Sequence, residues 1–185
     1  IYGYLVLNNK RSGPFGDNGY LWFVDYDVVY QGVPIEGARV VFRCNHGKLV
    51  QFGVEGIIPM GDNVGNILNP IPTVDKQTAL EIAFNYAGGF NPKVDVILNE
   101  GILKFIPKLK GNEKEATFEY PLIWEVAFAK QGIVGTWTAY VDAHSGNILA
   151  FWDDNRYGGI VQGGIYPISP TVTSEVKRGF PYVNV

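Results

Sequence analysis

Residues 30–57, YQGVPIEGARVVFRCNHGKLVQFGVEGI, decide the fold. Val33, Ile35, Ala38, Val40 and Phe42 form one apolar run, and Leu49, Val50, Phe52 and Val54 form a second. Asn45-His46-Gly47 lies between them, and Asn and Gly tolerate the positive φ that a tight turn demands. The stretch therefore predicts two antiparallel strands around a hairpin turn.

Working outward, residues 1–68 read as all-β. Tyr20, Trp22, Val24 and Tyr26 alternate with Leu21, Phe23, Asp25 and Asp27, a strand with few charges. Gly13-Pro14, Gly16 and Asp17-Asn18-Gly19 punctuate the loop before it. Pro59, Gly61, Gly65, Pro70 and Pro72 then mark a linker. Beyond it, Ala79, Leu80, Ile82, Ala83, Phe84 and Tyr86-Ala87 recur at helical spacing, predicting a helix over 74–87 with Thr73 as its N-cap and Gly88-Gly89 as its end. Residues 94–152 return to strand patterns broken by Asn99-Glu100-Gly101 and His144-Ser145-Gly146. The tail from Asn155 is apolar and interrupted by glycine and by Pro167, Pro170 and Pro181.

Composition narrows the function classes. The 185-residue chain is long enough to bury a core without staples. Its net charge of −3 comes without a basic stripe, which argues against nucleic acid. No apolar run reaches the ~18 residues of a membrane span. Cys44 is the single cysteine, so no internal disulfide forms. The chain starts at Ile1 rather than Met, which reads as a processed product or a fragment.

No recognised catalytic motif is complete in the sequence. A zinc peptidase helix needs His-Glu-x-x-His, yet His46 is followed by Gly-Lys-Leu and His144 by Ser-Gly-Asn. Cys44 and His46 are spaced to share a strand face, but a buried structural cysteine is the simpler reading. Asp25 with Asp27, and Asp153 with Asp154, are carboxylate pairs that could divide acid and base roles or bind calcium, without the further ligands of a calcium loop. The chain is thus expected to be no enzyme, with no catalytic, metal or cofactor residues.

Two resemblances carry the functional expectation. YQGVPIEGARVVF, at 30–42, resembles the signature of the fungalysin/thermolysin propeptide family. The helix TVDKQTALEIA (73–83), the strand LIWEV (122–126) and the ending WTAYVDAHSGNIL (137–149) resemble the PepSY domain, with Ser145 where Thr is common. They imply an α+β chain of two small antiparallel-sheet modules: a propeptide-type β module over 1–68 and a PepSY-type, cystatin-like helix on a sheet over 69–155. An extended arm over 156–185 follows. They further imply an extracellular, non-catalytic chaperone and inhibitor whose partner is the catalytic domain of a secreted zinc metalloprotease. The alternative is a stand-alone extracellular structural protein that assembles with copies of itself through the arm. In either case Ile160, Val161, Ile165, Tyr166, Ile168 and Phe180 are the candidate partner-binding residues, too apolar for a free linker.

Overall fold

The computed structural model describes residues 5–56, 68–111, 117–132 and 135–155, together with the backbone of 161–165 and 176–180. By contacts the chain divides into Ile1–Trp152 and Asp153–Val185.

In the first unit, β1 (Leu5–Leu7) and β2 (Gly13–Phe15) share one edge of β3 (Leu21–Tyr30). β3 pairs antiparallel with β4 (Val33–Asn45), and β4 pairs antiparallel with β5 (Lys48–Glu55). His46 and Gly47 connect β4 to β5 with φ of 50° and 75°, the two left-handed residues of a type I′ hairpin. At the other end of this hairpin, Gly56 is obligatory: a Cβ there would lie 2.1 Å from the Gly37 carbonyl oxygen.

β4 also joins the second half of the sheet. Its first residues meet β6 (Val96–Phe105) in parallel through Ile35↔Phe105. From β6 the order runs to β9 (Leu122–Ala129), β10 (Thr136–Asp142) and β11 (Ile148–Asp153). A separate two-stranded ribbon joins β7 (Lys108–Lys110) to β8 (Thr117–Glu119).

α1 spans Lys76–Tyr86. Asp75, rather than Thr73, is its cap, and accepts from the Thr78 amide at 2.8 Å. The amides of Thr73 and Val74 both donate to the Ala143 carbonyl, so this lead-in is pinned to the β10–β11 turn and the helix starts only after it. Ala79, Leu80 and Ala83 pack on Val126, Phe128, Ala139 and Val141. A second cluster, including Val28, Ile35, Leu68, Phe105 and Leu122, draws on residues from both halves of the sheet.

The architecture is therefore not the α+β pair of small antiparallel sheets that the sequence predicts. Among the described residues it is one nine-stranded mixed sheet with a single 11-residue helix. The physical cause is β4. Thirteen residues long, it pairs with β3 at both ends, with β5 through its second half and with β6 through its first, so the strands before and after the proline-rich linker belong to one sheet. Nor is the tail simply an extended arm. β12 (Val161–Ile165) folds back on β13 (Val176–Phe180), pairing Val161 with Phe180 and Ile165 with Val176.

Candidate functional site: an open apolar sheet face

Strand register assigns every side chain of the β3–β4–β5 layer to a face, because successive residues alternate. One face takes Tyr26↔Val40↔Val54, Val24↔Phe42↔Phe52 and Trp22↔Cys44↔Leu49 across the three strands, with Leu7 of β1 beside Tyr26. Val50 belongs to the same face, since a bulge between Arg43 and Cys44 sets both Leu49 and Val50 on one side. No charged residue lies among them. Leu7, Trp22, Leu49, Val50, Phe52 and Val54 remain 44–59 % exposed. With about half of each large side chain open, they present roughly 500 Å² of apolar surface, the size of the largest patch on a typical monomer, which is often functional.

The opposite face holds the charges. Asp25, only 2 % exposed, is ion-paired with Arg43, with Arg39 at 3.3 Å and with Arg11 at 3.8 Å. Arg11 also pairs with Asp27, and Arg39 with Glu55. The Arg43 guanidinium lies 4.2 Å from the centre of the Phe23 ring. A cleft of about 470 Å³ opens among Arg11, Asp27, Glu36, Arg39 and Glu55, and each of these five ions has an oppositely charged partner.

A second polar cluster sits where β4 meets the second half of the sheet. Lys104 Nζ contacts both Glu36 and Glu125, and donates to the Tyr140 hydroxyl at 3.2 Å. Burial works to lower the pKa of Lys104, but the hydrogen bonds to Glu125, Glu36 and Tyr140 outweigh it and raise the ammonium above its ordinary range. Tyr140 donates to Glu36 at 3.1 Å. Burial is the main force raising the pKa of this phenol. These groups are saturated by each other and act as a tie between strands.

The residues weighed for chemistry are dispersed. The Asp25–Asp27 pair does share a face, but arginines hold both carboxylates. Cys44 lies half-buried on the apolar face. His46 instead stacks on Tyr20 at 4.2 Å, with Nδ1 engaged by Asn45 Oδ1 at 2.7 Å. His144 sits in the turn organised by Asp142, whose carboxylate accepts from the amides of His144 and Ser145 and from the Ser145 hydroxyl. Asp153 accepts from the Asn155 amide. Among the described residues, no three His, Cys, Asp or Glu side chains converge to hold a metal. No helix among them is long and apolar enough to cross a membrane.

Of the tail residues singled out from sequence, Val161, Ile165 and Phe180 fall in the β12–β13 ribbon, described as backbone. Ile160, Tyr166 and Ile168 lie outside the described residues. The open face of β3–β4–β5 was missed from sequence, although a signal was present: Asp25, Asp27, Arg39 and Arg43 occupy odd positions, and Trp22, Val24, Tyr26, Val40 and Phe42 occupy even ones.

No family model matches the chain, and no curated protein matches it. Among solved structures it is similar to the Bacillus megaterium YpeB C-terminal domain, from a PepSY-containing protein, at 13% identity and a TM-score of 0.34. That alignment covers 82% of this chain, which spans 57% of the neighbour's chain. At such a score the likeness is weak and carries no argument about function.

Proposed function

We propose that this chain is a non-catalytic, propeptide-type domain that binds the catalytic domain of a secreted zinc metalloprotease, assists its folding and masks its cleft. The observation that supports this reading is the open, charge-free face of β3–β4–β5. A β-rich or mixed enzyme with many long-range contacts folds slowly. A rigid apolar surface that fits native-like structure lowers that barrier by stabilising the contacts as they form. If it also covers the cleft, the same surface excludes substrate. In this reading the chain acts outside the cell and needs no cofactor of its own. The YQGVPIEGARVVF segment, whose resemblance to the propeptide family suggested the role, supplies the middle strand of the face.

The test uses thermolysin as the probe. The chain, added in trans, should inhibit its peptidase activity and raise its refolding yield, and Trp22→Lys should abolish both while leaving the far-UV circular dichroism unchanged. Absence of inhibition at roughly a hundredfold molar excess, or full inhibition by Trp22→Lys, would overturn the proposal.

A further inference from the structure

Beyond that reading, the geometry of β5 points to a second binding surface: we infer that two copies of this chain associate by antiparallel pairing of their β5 strands. Among the described residues β5 pairs with β4 on one side only, so it is an edge of the nine-stranded sheet. An edge strand presents a row of unpaired backbone donors and acceptors. Seven of its eight residues are exposed. Proteins that keep such an edge monomeric place lysine or proline within it or shorten it. Here the interior, Leu49 to Val54, contains neither and carries no charge.

The occupant follows from the pattern of the strand, which is complementary to itself read backwards. Val50, Phe52 and Val54 lie on the apolar face, and Gln51, Gly53 and Glu55 on the other. Side-chain alternation permits only registers that keep like faces together. Setting Phe52 opposite Phe52 of a second copy does so, and brings Val50 opposite the second copy's Val54 and Gln51 opposite its Gly53. Lys48 stands opposite Asn45, and Glu55 opposite Arg39, so both lie on the charged face although seven positions apart. The bulge at Leu49–Val50 makes this possible. In an antiparallel pair it carries Lys48 of each copy towards Glu55 of the other. The contact is isologous, so the complementary charges occur twice and the assembly closes as a dimer. It lies in the plane of the sheet. The apolar faces of the two copies stay open side by side, and the surface assigned to the protease is not consumed.

The chain alone suffices for the test, so its outcome is independent of protease binding. Sedimentation equilibrium between about 1 and 100 µM should show conversion to a species of twice the 20.5 kDa chain mass. Phe52→Lys places two ammonium groups face to face on the twofold axis and should weaken association at least tenfold, with unchanged circular dichroism. In a Cys44→Ala background, Phe52→Cys should oxidise to a covalent dimer, because this position faces its own copy. Val54→Cys in the same background should not, because it faces Val50. A single 20.5 kDa species throughout, undiminished association of Phe52→Lys, or equal cross-linking through Val54→Cys would each refute β5 pairing.

Discussion

Asp25 and Asp27 sit two residues apart on the same strand face, and the structure predicts very different consequences for removing their charges. The Asp25 side chain is 3 % exposed and meets three guanidinium groups. Asp25→Asn keeps the shape but leaves Arg43, itself 17 % exposed, without its carboxylate in a site shut off from water. Breaking a buried ion pair from one side costs about 3–5 kcal/mol. Two features place the cost at the lower end. Arg39 retains Glu55, and Arg11 is 44 % exposed, so water and Asp27 replace much of what it loses. A loss of about 3 kcal/mol follows. For Asp27→Asn, both partners are open to solvent, at 35 % and 44 %, and such pairs are worth about 0–1 kcal/mol. Asn8 Nδ2, 2.6 Å from Asp27, still has an amide oxygen to donate to in the variant. Urea unfolding followed by tryptophan fluorescence measures both. If Asp25→Asn cost less than about 1 kcal/mol, or no more than Asp27→Asn, Asp25 would not be the anchor of an enclosed arginine cluster.

Two further outcomes follow. Leu80→Ala should cost about 2–5 kcal/mol in the same assay, since Leu80 is 5 % exposed between α1 and the sheet and its loss leaves a cavity; a cost below about 0.5 kcal/mol would show that the helix does not pack there. Asp142 titrates below the ordinary carboxylate value: burial works to raise it, and the hydrogen bonds from Ser145 and His144 more than compensate. A folded-state pKa lowered in this way adds stability above the unfolded value, and that stability is lost as pH falls through the folded value. Acid titration monitored by circular dichroism should therefore show the native chain losing stability more steeply below about pH 4 than Asp142→Asn, which has no proton to take up; parallel acid limbs would exclude the turn carboxylate as a contributor.

Local chemistry was legible in the sequence where the cause is local. Asn45-His46-Gly47 announced the hairpin because only a turn demands consecutive positive φ angles. The helix stripe from Ala79 to Tyr86 announced α1, although its cap moved from Thr73 to Asp75, because the Thr73 amide is taken by the distant Ala143 carbonyl. The single sheet was not legible. Its halves meet at Ile35↔Phe105, a parallel contact between residues far apart in sequence, and such a contact leaves no periodic trace in either segment. For the same reason the tail read as an arm: the ribbon pairs Val161 with Phe180 across two prolines that suggested a break. At the site, the odd positions of the charges were visible, but their pairing was not. Asp25 and Asp27 looked like a possible acid–base couple, and only the register that brings Arg39 and Arg43 alongside turns them into structural anions.

The two faces of the β3–β4–β5 layer explain why one of them is left for a partner. On the charged face, Asp25 gathers its arginines and the guanidinium of Arg43 also lies over Phe23, while Val41, which stands opposite Asp25 between Arg39 and Arg43, is nearly fully buried. Among the described residues the apolar face has no counterpart, because α1 is on the other half of the sheet, against β9 and β10. At about 25 cal/mol per Å², covering roughly 500 Å² of that face yields about 12 kcal/mol. Association itself costs about 4–15 kcal/mol in lost freedom. The face alone is therefore sufficient for modest binding and insufficient for a tight complex. A tight complex needs surface drawn from elsewhere on the domain, and two copies joined at β5 supply it by setting two such faces side by side: a partner wide enough to span both would cover twice the apolar area while losing its own freedom only once.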